Sequence, residues 1–136
     1  MLRPMKAPDF VAHCLELLAS VGRPRARRMF GGYGLYVDEP FIALIAGGRL
    51  YLKADAATHD QFEKAGCEAF VYSAQGRRQA TAYRSAPDAA LESPALMQPW
   101  ARMAVESALR ARAARAPVAR RETPAAPRSR QARSVS

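Results

Sequence analysis

The stretch Arg27–Ala54, RRMFGGYGLYVDEPFIALIAGGRLYLKA, decides the fold. Its apolar residues alternate or run in short blocks of strand length, and glycines and a proline separate the blocks. Arg28 to Phe30 and Leu35 to Val37 flank Gly31-Gly32-Tyr33-Gly34, a spacing that predicts a bulge or sharp bend. Asp38-Glu39-Pro40 turns the chain into Phe41-Ile42-Ala43-Leu44-Ile45, which is apolar at every position and so belongs in the middle of a sheet. Gly47-Gly48 is a two-residue hairpin signal. In the strand that follows, Arg49 to Lys53, Leu50 and Leu52 share one face, while Arg49, Tyr51 and Lys53 share the other.

Helices bracket this sheet. Asp9 caps a helix reaching Val21, in which Phe10, Cys14, Leu17, Leu18 and Val21 recur at helical spacing; Gly22 and Pro24 end it. Asp55 is the expected cap of a second helix from Ala56 to Ala65, with Gly66 beyond its end. Phe70 to Tyr72 and Gln79 to Tyr83 read as two more strands about a Gln75-Gly76 turn, and Pro87 to Leu91 as a short helical turn. Ser93-Pro94 is a cap with proline at the first helical position. The last helix places Leu96, Met97, Trp100, Met103, Ala104, Ser107 and Ala108 on one side, with a bend expected at Pro99, and fades near Arg112.

Composition limits the function classes. A chain of 136 residues, nearly half apolar, builds one modest core. No apolar run approaches the roughly 18 residues that span a bilayer. The N-terminus lacks the apolar region of a signal peptide, so the cytoplasm is the expected compartment and no membrane partner is expected. Cys14 and Cys67 make no CxxC, zinc or disulfide pattern and read as reduced packing residues. From Arg115 onward six arginines stand against one acid, Glu122, leaving +5 of the chain's +9 in that tail. With three prolines, no aromatic residue and little to bury after Ala116, the tail is expected to be disordered. The expected organisation is a flexible N-terminus (1–8), an α+β domain (9–114) and a basic tail (115–136).

Catalytic motifs are weak. The glycine cluster leads into a strand rather than opening a helix, so it is geometry and not a phosphate loop. His13 and Cys14 are helix neighbours and point about 100° apart, which separates a nucleophile from its base. His59 and Asp60 face no nucleophile, Glu63 and Glu68 have no partner that would raise a carboxyl pKa, and two histidines make a poor metal set. No catalytic, cofactor or metal residue is expected. Arginines remain as candidate nucleic-acid contacts: Arg23, Arg25, Arg27 and Arg28 between the first helix and first strand, Arg77 and Arg78 at a hairpin tip, and Arg120, Arg121, Arg128, Arg130 and Arg133 in the tail. The tail arginines would bind polyanions without sequence preference.

The run Arg28-Met29-Phe30-Gly31-Gly32-Tyr33-Gly34-Leu35-Tyr36, with Phe41 to Ile45 and Arg49 to Lys53, resembles the N-terminal domain of the TfoX/Sxy competence regulators. Ala54-Asp55, Phe62, Ala65-Gly66-Cys67, Phe70-Val71-Tyr72, Leu96 and Pro99-Trp100-Ala101-Arg102 extend the resemblance over Phe10 to Ala111. It departs at Glu39-Pro40, where the family tends to have Asp-Gly, and near Tyr83, where apolar residues are sparse. The resemblance implies a two-layer α+β fold with an antiparallel sheet and packed helices, in the order α-β-β-β-α-β-β-α, similar to secretion chaperones. It also implies a non-enzymatic transcription co-regulator, linked in the full proteins to the cyclic-AMP receptor protein and to a second helical domain, in whose place this chain has the tail. The expected partner is a protein, a transcription regulator or a second copy, with weak nucleic-acid binding from the tail; the family supplies no catalytic residue to carry over.

Overall fold

The computed structural model describes residues 7–29, 31–74 and 76–115; the tail beyond Arg115, with its other five arginines, the first six residues, Phe30 and Gln75 lie outside them. Helix α1 (Ala7–Leu18) continues into a single 3-10 turn (Ala19–Val21) and is followed by β1 (Pro24–Met29), β2 (Gly32–Val37), β3 (Phe41–Ala46) and β4 (Arg49–Lys53). Then come a short α2 (His59–Lys64), β5 (Ala69–Ala74), β6 (Arg77–Ser85), a 3-10 turn (Asp88–Glu92) and the long α3 (Pro94–Ala114). All six strands form one antiparallel sheet in the order β1-β2-β3-β4-β6-β5. The α+β class is as expected, but four strands rather than three precede α2.

The extra strand comes from the glycine segment. Met29 pairs with Gly32, so the chain reverses between them, past Gly31 at φ +77°, and divides what the sequence presents as one bent strand. Gly32 lets β2 pass close to β3, since a Cβ there would run into the Ile45 carbonyl oxygen. The irregularity expected at the glycines lies instead at the Leu35–Tyr36 step, where the register against β3 slips by one residue. That slip puts Ile42 and Ala43 together into the core and Phe41 on the opposite face. Gly47 and Gly48 have φ of +57° and +76°, as a tight hairpin with two left-handed residues requires.

Arg25, Arg27 and Arg28 lie inside β1 rather than before it. The sequence pattern starts this strand only at Arg28 because it is an edge: its first residue is proline and half of its positions are arginine. At the other end of the chain Ser93 caps α3, its hydroxyl accepting from the Leu96 amide at 3.1 Å, and the helix continues through Pro99. Among the described residues no helix is long and apolar enough to cross a membrane.

The core lies between one sheet face and the helices. Leu17, Leu18 and Cys14 from α1 meet Leu35, Val37, Ile42, Leu50 and Leu52 from the sheet and Phe62 from α2. The long helix buries Met97 and then only small residues, Ala101, Ala104, Ser107 and Ala108, with Trp100, Met103 and Val105 packing half-buried at the margin. Its small face lets the backbone come down onto the larger side chains below it. Polar contacts fix the rotation. Arg110 donates to both Asp55 carboxylate oxygens at 2.7 and 3.0 Å, and the Thr58 and Ser107 hydroxyls, both buried, lie 3.4 Å apart. The Phe62 and Trp100 rings meet edge to face at 5.1 Å. Asp55 therefore caps a turn, accepting from the Ala57 amide at 3.1 Å, and α2 begins later than expected at His59.

Two outcomes follow. Ala104→Leu overpacks the helix–sheet seam and lowers unfolding free energy by about 1–3 kcal/mol, whereas Leu96→Ala, at a position 49 % exposed, changes it little; denaturant titration compares them. The Asp55 carboxyl is held below its ordinary value, first by its hydrogen bond from Arg110. Its stabilisation is thus complete above the ordinary carboxyl range and is lost as pH falls below about 4 and through the folded value. Asp55→Asn should lower the thermal midpoint at pH 7 and flatten its decline at acid pH; an unchanged acid slope would show that the Arg110 contact is not linked to folding.

Candidate functional site

Two surfaces carry side chains that the core does not require. The first is the sheet face turned away from the helices. Register places Arg25 and Arg27 of β1, Gly34 and Tyr36 of β2, Leu44 of β3, and Tyr51 and Lys53 of β4 on that face. Its larger side chains are half-buried and pack on one another. Tyr36 stacks on Phe41 with centroids 5.2 Å apart, and Phe41 meets Tyr83 at 5.8 Å. Gly34 makes room for this, since a Cβ there would lie 2.6 Å from Met29 Cε and 2.9 Å from Phe41 Cε1.

Cations cover the aromatic row. The Arg25 guanidinium lies 4.4 Å from the Tyr36 centroid, and Lys53 Nζ lies 5.0 Å from that of Tyr83. Where the row reaches the ends of β3 and β4, the last turns of α3 bring Arg112 and Arg115 alongside, enclosing a pocket of about 410 Å³. Arg112 donates to Glu39 at 3.0 Å. Lys53 and Arg115 form no ion pair among the described residues. Burial, and then the nearby Arg115, push the Lys53 ammonium below its ordinary pKa. Burial raises the Tyr83 hydroxyl.

The second surface is the β5–β6 hairpin. Only Tyr83 to Ser85 of β6 pair with β4, so the rest of the hairpin projects as a two-stranded ribbon. Val71 is 38 % and Tyr72 50 % exposed on it. β5, the second edge of the sheet, has the sequence Ala69-Phe70-Val71-Tyr72-Ser73-Ala74, with no charge and no proline. The defences of β1 are absent from it.

The arginines grouped by sequence divide among these places. Arg25 and Arg27 share the open face, while Arg28 lies over Tyr33 at 5.9 Å on the helix side of β1. Arg23 is exposed, its backbone amide donating to Asp38 Oδ1 at 3.0 Å. Arg77 and Arg78 pair with Ala74 and Ser73 at the ribbon tip, four strand spacings, roughly 19 Å, from β1. The two clusters therefore form no common patch. The set that does converge is Phe41, Lys53, Tyr83, Arg112 and Arg115. The local signals were the arginines gathered at the end of the last helix and the outward face of Arg49, Tyr51 and Lys53; their meeting depends on β4 pairing with β6 instead of β5.

The residues weighed for catalysis are occupied structurally. His13 Nε2 donates to the Leu91 carbonyl at 2.8 Å, tying α1 to the turn before α3. Burial pushes the Cys14 thiol up to about 12 and also raises that of Cys67; both cysteines are free and buried. Glu63 and Glu68 accept from Arg84 at 2.8 Å and Arg49 at 2.9 Å, and Arg84 holds Glu63 below its ordinary pKa. Among the described residues no three His, Cys, Asp or Glu side chains are grouped to hold a metal ion.

Comparison with known proteins agrees with the strand pattern. Residues 16–108 match the family model described as the TfoX N-terminal domain. The chain is 35 % identical over 57 residues to the DNA transformation protein TfoX1 of Aliivibrio fischeri (strain ATCC 700601 / ES114), a match taking in 42 % of this chain and 27 % of that protein. The aligned stretch thus spans about a quarter of the relative. With the family model covering residues from α1 well into α3, the chain belongs to the TfoX N-terminal domain family.

Proposed function

We propose that this domain is a non-enzymatic regulatory adaptor that works by protein contact, taking an extended segment of its partner onto β5 as an added strand. The contrast between the two sheet edges carries the reading. β1 opens with a proline and exposes arginines, devices that prevent pairing with another chain. β5 offers unpaired backbone groups along six residues without charge or proline, and exposes an aliphatic and an aromatic side chain. Strand addition uses such an edge: main-chain hydrogen bonds supply affinity and alternate side chains supply selectivity. Arg77 and Arg78 at the ribbon tip act as gatekeepers that limit uncontrolled stacking.

Membership in the family supports the regulatory part of the reading, and the printed name of the relative, a DNA transformation protein, supports a place in competence. The partner is a transcription regulator or a second copy of the chain. The basic tail adds electrostatic attraction to nucleic acid, which weakens steeply with salt and carries no sequence information.

The test is capture of transcription regulators, together with the mass of the chain in solution, for the full chain and for Val71→Lys. A charge on the exposed edge should reduce capture or self-association at least tenfold while moving the thermal midpoint little, because Val71 is outside the core. Removing residues 116–136 should leave the contact intact while flattening the salt dependence of DNA retention. Contact that survives Val71→Lys unchanged, or that disappears with the tail, contradicts the reading.

A further inference from the structure

We propose that the pocket between the open sheet face and the end of α3 binds a nucleoside phosphate, with the base against the Phe41–Tyr83 aromatic row and the phosphate between Lys53 and Arg115. The ligand is a free nucleotide or one unit of a single strand, since the two share this chemistry. The site is separate from the β5 edge, so the inference stands or falls independently of the adaptor reading.

Three observations point the same way. First, the pocket of about 410 Å³ lies within the size range of small-ligand sites. Second, its aromatic wall is preorganised. Tyr36, Phe41 and Tyr83 come from three strands and hold one another at centroid distances of 5.2 and 5.8 Å, so a planar ring entering beside Phe41 meets side chains already in place, and Lys53, which rests over Tyr83, turns from that ring to the phosphate. Third, the charge is unbalanced. Glu39 lines the pocket too but pairs with Arg112, leaving Lys53 and Arg115 as two nearby cations with no acid between them.

The third observation carries the most weight. Lys53 is half-buried and repelled by Arg115, and the nearest favourable charge, Asp55, is already occupied by Arg110. Among the described residues no carboxylate pairs with Lys53, and its ammonium rests over the Tyr83 ring. A bound phosphate would neutralise both cations and accept hydrogen bonds from each. Two cations lining one pocket without a carboxylate partner offer an anion a place to bind.

The experiment is calorimetric titration of the full chain with AMP, GMP, CMP and UMP, and separately with adenosine, inorganic phosphate and oligo(dT). Lys53→Gln and Arg115→Gln are compared with the natural sequence. At least one nucleotide or the oligonucleotide should bind tenfold or more tighter than phosphate or adenosine. Lys53→Gln should weaken that binding at least tenfold while leaving the thermal midpoint equal or higher. A mononucleotide that binds as well per site as the oligonucleotide identifies a free nucleotide as the source; much tighter oligonucleotide binding, still lost in Lys53→Gln, identifies a single strand. Phosphate binding as tightly as every nucleotide, affinities that the two substitutions leave unchanged (the tail acting alone), or no binding at millimolar concentrations overturns the proposal.

Discussion

The structure depends on how closely α3 lies on the sheet. Its buried face consists of Met97 followed by Ala101, Ala104, Ser107 and Ala108, which bring little volume of their own. The core is therefore filled from below and beside, by Leu17 and Leu18, by Leu35, Ile42, Leu50 and Leu52, and by Phe62. Small residues on one element and large ones on its neighbours interlock at normal interior density only when the backbones approach. Asp55 with Arg110, and Thr58 with Ser107, fix the rotation of the helix once that approach is made.

That arrangement determines what the rest of the surface can do. All three helices pack on one side, so the other sheet face carries its own thin aromatic layer, shielded by Arg25 and Lys53 instead of by a helix. Because α3 continues past the ends of β3 and β4, Arg112 and Arg115 stand over the end of that layer. The same one-sided packing leaves both sheet edges to defend themselves. β1 does so with proline and arginine, and β5 does not. The positions suited to interaction are those the core leaves free.

Much of the fold was legible because it follows local rules. The two left-handed glycines at Gly47 and Gly48, the alternation of Leu50 and Leu52 and the Ser93 cap all appear where the sequence places them. Only the end of β1, from Arg28, was legible, since the residues before it obey edge defence rather than apolar alternation. The division between Met29 and Gly32 was hidden because adjacent glycines signal a bulge as readily as a turn. α2 starts late because the Asp55 carboxylate is shared among the Ala57 amide, the Thr58 hydroxyl and Arg110. The candidate pocket was out of reach for a different reason. Phe41 and Tyr83 are far apart in sequence and meet only because β6 inserts between β4 and β5, a topological fact that no local pattern encodes.

The account rests on a sheet that is firmly held at its centre and open at β5. Amide hydrogen exchange of the chain at low and high protein concentration, with and without the captured partner, measures this most directly. The amides of β3 should exchange only through global unfolding. Those of β5 that point away from β6 should exchange fast in the isolated chain and slow when a partner strand or a second copy is added. β5 amides protected as strongly as those of β3 at the lowest concentration, or unchanged by the partner, would contradict it.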